Sequence, residues 1–225
     1  MMRFDLTIPD PSTMRVGKEA YVPLDKGTEL HRIHPLVFKA EQFNPTAAGD
    51  ARFSPIHDVS GAIIPTIYAA QTFECASCEI ILRCPDTLPI DPKTGLPTFQ
   101  IVFPADFKAY GHSIVRTTAA LNLVDLTNTG QRKIGVNQNA LLAGPRSTYP
   151  ATRAWAESIH ATCPKAQGIY YSSAQFGPDF AIVVFGDRVP AGVLDPVSSR
   201  PVAEAACDAD IRSLASSLSI EYQDV

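Results

Sequence analysis

The sequence predicts a single α+β domain, and three observations support this prediction. The chain has 225 residues, which is the size of one large domain. Hydrophobic residues make up 45% of it and charged residues 19%, a balance typical of globular proteins. Short apolar runs with strand character occur between segments with helical spacing, and no repeat or linker divides the chain.

The N-terminal part is predicted to be mostly irregular, with isolated strands. Residues 1–27 are rich in Pro, Gly and charge and predict an irregular or extended lead-in. Residues 28–33 are compatible with a short strand. Repeated turn formers over residues 42–65 predict a long ordered loop, and residues 63–70 predict a strand that leads toward a helix.

A helix is predicted directly after that strand. Thr72 is a suitable N-cap, and Glu74 lies in the first turn, where a negative charge interacts favourably with the helix dipole. Phe73 and Ile80 fall at helical spacing, so the helix is expected to extend to about Arg83.

The second half of the chain is predicted to contain four strands and two helices. A Pro-rich loop over residues 84–97 precedes them. The continuous apolar run at residues 180–185 predicts a central strand. The expected elements are strands at residues 99–103, 121–126, 168–171 and 180–185, a helix from Pro150 with Ala154, Trp155 and Ile159 on its apolar face, and a helix from Pro201 to about Leu218 with Cys207, Ile211, Leu214 and Leu218 on one face.

Composition argues against several classes of protein. The net charge of −4 lacks the basic footprint of most nucleic-acid-binding proteins. The five cysteines are odd in number, and a chain of this size does not need a disulfide framework, so a reducing compartment is expected. With no apolar N-terminal segment and no run long enough to span a bilayer, the sequence predicts a cytoplasmic protein without a membrane anchor.

Familiar site motifs are absent or incomplete. The chain has no G-x-G-x-x-G, no P-loop and no G-x-S-x-G. Cys75 and Cys78 form a C-x-x-C without a second pair, which favours buried core thiols over a zinc site. His31 and His34 form an H-x-x-H that would point to opposite faces of a strand, so no metal site is expected, and His34 is interpreted as a loop or turn residue.

Four polar residues are candidates for function, although each has an ordinary structural interpretation. Arg32 and Arg52 could be a surface arginine and a loop arginine. Glu79 lies among apolar residues of the predicted helix, where a carboxylate needs a partner or a purpose. Ser173 ends a predicted strand. Taken singly, these residues indicate no particular chemistry.

Read together and in order, seven segments resemble the RES domain, the toxin component of RES–Xre bacterial toxin–antitoxin systems. The resemblance runs from about Leu30 to Phe185. The segments are Leu30-His-Arg-Ile-His-Pro35 with Arg32, Gly49-Asp-Ala-Arg-Phe-Ser-Pro55 with Arg52, Pro65-Thr-Ile-Tyr-Ala-Ala70 with Tyr68, Thr72 to Leu82 with Glu79, Leu123-Val-Asp-Leu-Thr127, Tyr149 to His160, and Gly168-Ile-Tyr-Tyr-Ser-Ser173 with Ser173.

The chain also departs from the pattern of the family. Gln175 stands where an arginine is frequent, so a phosphate contact there is not supported. Cys75 replaces the usual threonine of the helix. Residues 85–116 match poorly and are interpreted as an insertion.

The resemblance implies a fold and a set of boundaries. RES proteins are similar to ADP-ribosyltransferases, so the expected fold is a single α+β domain whose mixed sheet is flanked by helices. Residues 1–27 would be an N-terminal extension and residues 28–225 the RES domain, with the best match over residues 30–185.

The resemblance also implies a chemistry, cleavage of the nicotinamide–ribose bond of NAD+ by phosphorolysis or hydrolysis. Glu79, Arg32 and Ser173 are the expected catalytic residues, and Arg52, Tyr68 and His31 are expected to bind the substrate. Ser173 is expected to hydrogen-bond the nicotinamide amide or the ribose. The carboxylate would stabilise an oxocarbenium-like ribose, and the arginines would bind the pyrophosphate. NAD+ is a substrate in this scheme, with inorganic phosphate as one acceptor, and no bound cofactor or metal is expected.

Two alternatives remain open at this stage, and partners are implied by the family. The chain could instead transfer ADP-ribose to a protein target, or it could be a degenerate RES domain that serves as a binding module. The implied partners are NAD+ and a separate helix-turn-helix antitoxin of the Xre type. Direct contacts with nucleic acid or membrane are not expected, and a homo-oligomer within a toxin–antitoxin complex is compatible with the family.

Overall fold

The computed structural model describes residues 7–224, and its helices pack on a mixed β-sheet. The α+β prediction is therefore confirmed. Within residues 7–224, no helix is long and apolar enough to cross a membrane. The strands are β1 (Tyr21–Leu24), β2 (Glu29–Pro35), β3 (Ile56–His57), β4 (Ile63–Ile64), β5 (Thr66–Ala70), β6 (Ile101–Val102), β7 (Tyr110–Thr117), β8 (Leu121–Asp125), β9 (Gly168–Ser172), β10 (Phe180–Phe185), β11 (Leu194–Pro201) and β12 (Glu221–Tyr222), and the helices are α1 (Phe73–Ile80), α2 (Asn128–Lys133), α3 (Ala140–Ala143), α4 (Tyr149–Thr162) and α5 (Ala205–Ser217).

Eight strands form the main sheet, in the order β1-β8-β9-β10-β5-β2-β7-β11. Only β8 and β9 pair in parallel, and the other neighbours are antiparallel. As its apolar run predicts, β10 is central, between β9 and β5. Two short pairs, β3 with β4 and β6 with β12, lie outside this sheet.

The sheet splits between β2 and β5. These strands share a single paired position, His31 with Ala70, whereas β2 pairs with β7 over seven positions. Beyond that position β2 and β5 diverge, and Thr66 exchanges backbone hydrogen bonds with Asn44 instead. The split leaves an opening inside a sheet that is otherwise continuous.

The two faces of the sheet carry separate apolar cores because side chains alternate along each strand. One face packs against the helices, where Trp155 of α4 and Ile211 of α5 are fully buried. The opposite face contains a smaller cluster around Leu30 and Leu123. Because apolar side chains are packed on both faces, the strands on either side of the split are held in place.

Local signals located α1 correctly at its start but not at its end. Thr72 caps the helix by accepting a hydrogen bond from the Cys75 backbone N–H at 3.1 Å, and Glu74 lies in the first turn. The helix ends at Ile80, so the prediction that it extends to about Arg83 was too long.

Three strands of the main sheet were not predicted from the sequence. β7 lies within the segment that was interpreted as an insertion, although it joins β2 to β11. Its residues are mostly buried on both faces, so it lacks simple alternation. β11 is an exposed edge strand that contains Pro196 and Pro201, residues tolerated only at such edges. β1 lies inside the predicted N-terminal extension and pairs with β8.

Most of the predicted elements lie close to their predicted positions, with small shifts, whereas the helices α2 and α3 and the short strands β3 and β12 were not predicted. Residues 42–65 are mainly loop, interrupted by the short pair β3 and β4. The strand predicted at residues 99–103 is reduced to Ile101–Val102. Helix α5 begins at Ala205, because Pro201 still belongs to β11, where it pairs with Gly111. Cys207 and Ile211 are buried as predicted, whereas Leu218 is exposed.

Candidate functional site

A cavity of about 420 Å³ occupies the split in the sheet. Its walls include residues 31–35 of β2 and residues 66–70 of β5, the strand segments that have separated. The end of α1 and the loop around Arg52 close the remaining sides. A concave site of this size is in the range that binds small molecules. We refer to this cavity as the cleft.

Glu79 lies on the cleft-facing side of α1 and is held by Ser173. The Ser173 hydroxyl donates to Glu79 Oε1 at 2.6 Å and accepts hydrogen bonds from the backbone N–H groups of Gln175 at 3.1 Å and Phe176 at 2.9 Å. A serine hydroxyl has one proton and two lone pairs, so these three bonds use its whole capacity. No described residue hydrogen-bonds to Glu79 Oε2, which leaves that oxygen available to a ligand.

Ser173 is therefore a support for Glu79 in this structure. It is buried, and it is not among the described residues that line the cleft. The sequence prediction gave it a direct contact with nicotinamide or ribose. Its hydrogen bonds fit better with a role in orienting the carboxylate.

Arg32 is buried at the point where β2 and β5 separate. Its Nε donates to the Tyr68 carbonyl oxygen at 3.0 Å, and its Nη1 donates to the Ala40 carbonyl oxygen. Burial lowers the pKa of Arg32 to about 10, against a smaller opposing effect of Glu41. The guanidinium still lines the cleft, but its Nε and Nη1 bind backbone carbonyls, and one of these, the Tyr68 carbonyl, lies on β5 where its pairing with β2 has ended.

Arg52 reaches the cleft from the loop before β3. Compared with Arg32, it has more N–H donors that make no hydrogen bond to the described residues. Its Nη1 donates to the carbonyl oxygens of Leu141 and Gly144, both at 3.2 Å, whereas Nε and Nη2 make no hydrogen bond to the described residues. Its guanidinium lies 4.9 Å from the centroid of the Tyr149 ring. The Nε–Nη2 edge is the fork that binds carboxylate or phosphate in a bidentate manner.

Arg83 is a third cleft arginine, and it was not among the predicted site residues. It follows α1 and contacts the same Tyr149, whose hydroxyl accepts a hydrogen bond from Arg83 Nη2. Arg52 and Arg83 thus both contact one tyrosine ring. The neighbouring Cys84 N–H donates to Gln175 Oε1 at 2.9 Å. Gln175 replaces the family arginine, and Arg83 brings a guanidinium to the same region.

The signal for Arg83 was present in the sequence. It lies four residues after Glu79, and the predicted helix to about residue 83 would have placed both side chains on one face. In the sequence, Tyr149 was considered only as the first residue of a segment that resembles a helix of the RES domain. Its ring is 1% exposed and lies in the first turn of α4, where the chain brings it beneath the two arginines.

Two tyrosines, the partly buried Tyr68 and the buried Tyr171, line the same cleft as Glu79. The Tyr68 hydroxyl accepts a hydrogen bond from the Phe53 N–H at 2.9 Å, and burial raises the pKa of Tyr68 to about 12. Burial also raises the pKa of Tyr171 well above its ordinary value, and Glu79 adds to that shift. Both phenols therefore remain protonated near neutral pH.

The two histidines of the H-x-x-H differ in their surroundings. His31 lines the cleft, and its Nδ1 lies 3.0 Å from His112 Nε2. His34 is a buried strand residue whose Nε2 lies 2.8 Å from Ser113 Oγ, so its interpretation as a loop or turn residue was wrong. The predicted strand ended at residue 33, whereas β2 continues to Pro35.

The two cysteines of the C-x-x-C behave as core residues. Cys75 and Cys78 are buried and unpaired, which confirms the prediction of core thiols. Burial raises the pKa of Cys75 to about 12 and that of Cys78 to about 11. In the part of the chain that the structure describes, no group of three or more His, Cys, Asp or Glu side chains could hold a metal ion.

The structure thus brings the six predicted residues to one region. Five of them, His31, Arg32, Arg52, Tyr68 and Glu79, line the cleft, and Ser173 supports Glu79 from behind. The fold and the cleft define an α+β protein with an anion-compatible site in a split mixed sheet.

Comparison with known proteins identifies the family. The RES domain family model matches residues 29–208, which is more than half of the chain. The chain therefore belongs to the RES domain family, which confirms the resemblance found in the sequence. A chain of the crystal structure of the M. tuberculosis MbcT–MbcA toxin–antitoxin complex has the same fold, with a TM-score of 0.59 and 14% sequence identity over 87% of this chain and 93% of that chain. No curated protein sequence matched.

Proposed function

We propose that this protein cleaves the nicotinamide–ribose bond of NAD+ in the cleft and acts as the toxin of a toxin–antitoxin pair. The observation that carries the proposal is the arrangement of Glu79. One of its oxygens is held by Ser173, the other is available to a ligand, and Arg52 and Arg83 lie on the same cleft. Membership of the RES family supports this chemistry.

The charge distribution suits a dinucleotide that has an anionic pyrophosphate in its middle and a cationic nicotinamide at one end. The free Nε–Nη2 fork of Arg52 is suited to a pyrophosphate oxygen pair, and Arg83 adds a second cation nearby. Glu79 supplies the negative charge that stabilises a positively charged ribose in the transition state. Because Ser173 orients the carboxylate in advance, little reorganisation is needed during the reaction.

The reaction balances without a cofactor. When the bond between the ribose C1″ and the nicotinamide nitrogen breaks, both electrons go to that nitrogen, and the ring loses its positive charge. An acceptor oxygen forms the new bond to C1″ and releases its proton to solvent. Phosphate as acceptor would yield ADP-ribose 1″-phosphate, and water would yield ADP-ribose.

The test follows NAD+ in cells and in purified protein. Wild type, Glu79→Gln and Glu74→Gln would be expressed under tight control, and cellular NAD+ would be measured over the first minutes. We expect wild type to deplete NAD+ and arrest growth, and Glu79→Gln to reduce turnover by at least about 100-fold, as for the loss of a transition-state-stabilising group. Glu74 is a matched control, an exposed carboxylate in the first turn of the same helix.

The outcomes separate the candidate reactions. Steady NAD+ with wild type would refute NAD+ consumption. Purified protein with phosphate, or without it, would identify the acceptor through its product. Radioactive label from NAD+ that becomes attached to protein would favour ADP-ribosyl transfer, and binding of NAD+ without turnover would favour a binding module.

We also propose a separate antitoxin partner. The structural relative occurs in a complex described as toxin–antitoxin, and family membership supports such a pairing here. A helix-turn-helix protein of the Xre type is the expected partner. Co-expression of a genome-neighbouring helix-turn-helix protein should relieve the growth arrest and co-purify with the chain, and arrest that no such protein relieves would count against this partner.

A further inference from the structure

A row of three polar side chains crosses the sheet beside the cleft. His31 of β2, His112 of β7 and Arg200 of β11 belong to three adjacent strands. Arg200 is paired directly with His112, and His112 is paired with Ile33, two residues from His31. Since residues two apart share a face of a strand, the three side chains project from the same face of the sheet.

The contacts within this row are hydrogen bonds. Arg200 Nε donates to His112 Nδ1 at 3.4 Å, and His112 Nε2 lies 3.0 Å from His31 Nδ1. The planes of the two imidazoles are within 7° of parallel, and their centroids are 5.3 Å apart. Because the nitrogens are much closer than the centroids, the rings meet edge to edge, which is the geometry of an N–H···N hydrogen bond.

A single charged donor sets the proton positions along the row. A guanidinium can only donate, so His112 Nδ1 must accept. A neutral His112 then carries its proton on Nε2 and donates it to His31 Nδ1. A neutral His31 consequently carries its own proton on Nε2, the ring nitrogen that makes no hydrogen bond to the described residues.

The surroundings favour neutral rings. Burial, together with His31, Arg200 and His34, lowers the pKa of His112 to about 4, against an opposing effect of Asp210 of α5. Burial also lowers the pKa of His31, against Glu74 of α1 and Glu29 of β2.

Two outer contacts keep the row in place. Asp210 binds the Arg200 guanidinium at 2.7 Å, and the ring of Phe73 packs edge-on against His112 with centroids 4.8 Å apart. Phe73 also lies under the guanidinium, 5.6 Å from ring centroid to Cζ. Arg200 is thus restrained from α1 and α5, so it can act as a fixed donor.

We propose that His112 and Arg200 are positioning residues that hold His31 as a neutral Nε2–H donor to an uncharged acceptor oxygen of the ligand in the cleft. The identity of that ligand as NAD+ rests on the proposed function, but the proton position does not. The cleft then offers a neutral donor from β2 that suits a hydroxyl or carbonyl oxygen, in addition to the charged arginines that suit phosphate oxygens.

The test reads the histidine protons directly by nitrogen-15 NMR of the ligand-free protein at pH 7. His31 would be assigned with His31→Gln. We expect the Nε2–H form of His31 to exceed the Nδ1–H form by at least about fivefold, the preference that one net hydrogen bond supports. Arg200→Met should shift both rings toward a mixture, and Arg200→Lys, which keeps a cationic donor, should restore the preference.

The results have defined meanings. A wild-type His31 with its proton on Nδ1, or an unchanged ratio in Arg200→Met, would overturn the proposal, and the wild-type measurement requires no variant to fold. Titration of NAD+ into Glu79→Gln protein should move the His31 Nε2 resonance. An unmoved resonance with NAD+ bound would refute the ligand contact, whereas a failure of NAD+ to bind at all would count against the proposed function and leave the proton assignment intact.

Discussion

The two walls of the cleft use their charged groups differently. On the α1 wall, Glu79 has one oxygen bound by Ser173 and one available to a ligand. On the wall where β2 and β5 separate, Arg32 donates to backbone carbonyls and is 7% exposed. The first wall orients a charge toward the cleft, whereas the second uses a charge to keep the cleft open.

This difference shows that residue type alone does not assign a role. Arg32 and Arg52 were both predicted to bind the pyrophosphate, with Arg32 also counted among the catalytic residues. Their hydrogen bonds differ. Of the two, only Arg52 has an Nε–Nη2 edge that makes no hydrogen bond to the described residues, because Nε of Arg32 donates to the Tyr68 carbonyl oxygen. The split strands explain the difference, since carbonyls that lose a strand partner need another donor.

Among the variants that test this difference between the two walls, Arg32→Met is expected to have the largest effect. Loss of the guanidinium leaves the carbonyls of Tyr68 and Ala40 without this donor, so the free energy of unfolding should fall by about 2–4 kcal/mol. Urea denaturation measures this loss. Arg153→Met, which removes a surface ion pair with Asp50, should cost less than about 1 kcal/mol. Full stability with abolished turnover would instead make Arg32 a ligand-binding residue.

The next effect concerns the opposite wall. Ser173→Ala should lower kcat for NAD+ between about 10- and 100-fold and change KM little, because Glu79 loses its fixed orientation while the arginines are untouched. Steady-state kinetics measures both constants. Ser172→Ala is the matched control on the neighbouring position of β9. A rise in KM alone would indicate that Ser173 contacts the substrate, as the sequence prediction had it.

The next prediction concerns how the unfolding free energy depends on pH through His112, which lies on β7 beside the cleft. The pKa of His112 is lowered to about 4 in the folded protein, so the unfolded chain binds more protons between about pH 6.5 and pH 4. Stability must then fall as the pH falls through this window. Between pH 7.5 and pH 5 the wild type should lose about 2 kcal/mol more unfolding free energy than His112→Gln.

The control for this pH effect is an exposed histidine. His57→Gln removes a histidine whose side chain is 44% exposed and pairs with Glu157 at the surface, and the pH dependence of this variant should parallel that of the wild type. Denaturant unfolding at the two pH values gives the comparison. Parallel curves for wild type and His112→Gln would show that His112 does not contribute.

The smallest effect is expected from Arg52→Lys. Lysine keeps a positive charge and one donor for the Leu141 or Gly144 carbonyl, but it lacks the fork, so KM for NAD+ should rise about 10-fold with little change in kcat. Arg146→Lys, at a position with an exposed side chain, serves as control. An unchanged KM would show that Arg52 does not bind the substrate and that, like Arg32, it serves mainly to bind backbone carbonyls.

Local elements were predictable where short-range chemistry determines them. The Thr72 cap identified the start of α1, and the apolar run of residues 180–185 identified the central strand β10. The buried position of Cys75 and the location of Glu79 on the same helix followed from that periodicity. β7 and β11 were missed, because the burial of β7 on both faces and the edge position of β11 depend on partners that are distant in the chain.

The sequence by itself determined the family, the α+β class and the six candidate residues of the site. Only the tertiary structure decided how those residues are used, because hydrogen-bond partners such as Ser173 for Glu79 are 94 residues apart. The same is true of Arg83 and Tyr149, which are separated by 66 residues and meet only in the folded chain. A ligand-binding role requires donors and acceptors that the fold leaves unused, and that balance is set by long-range packing.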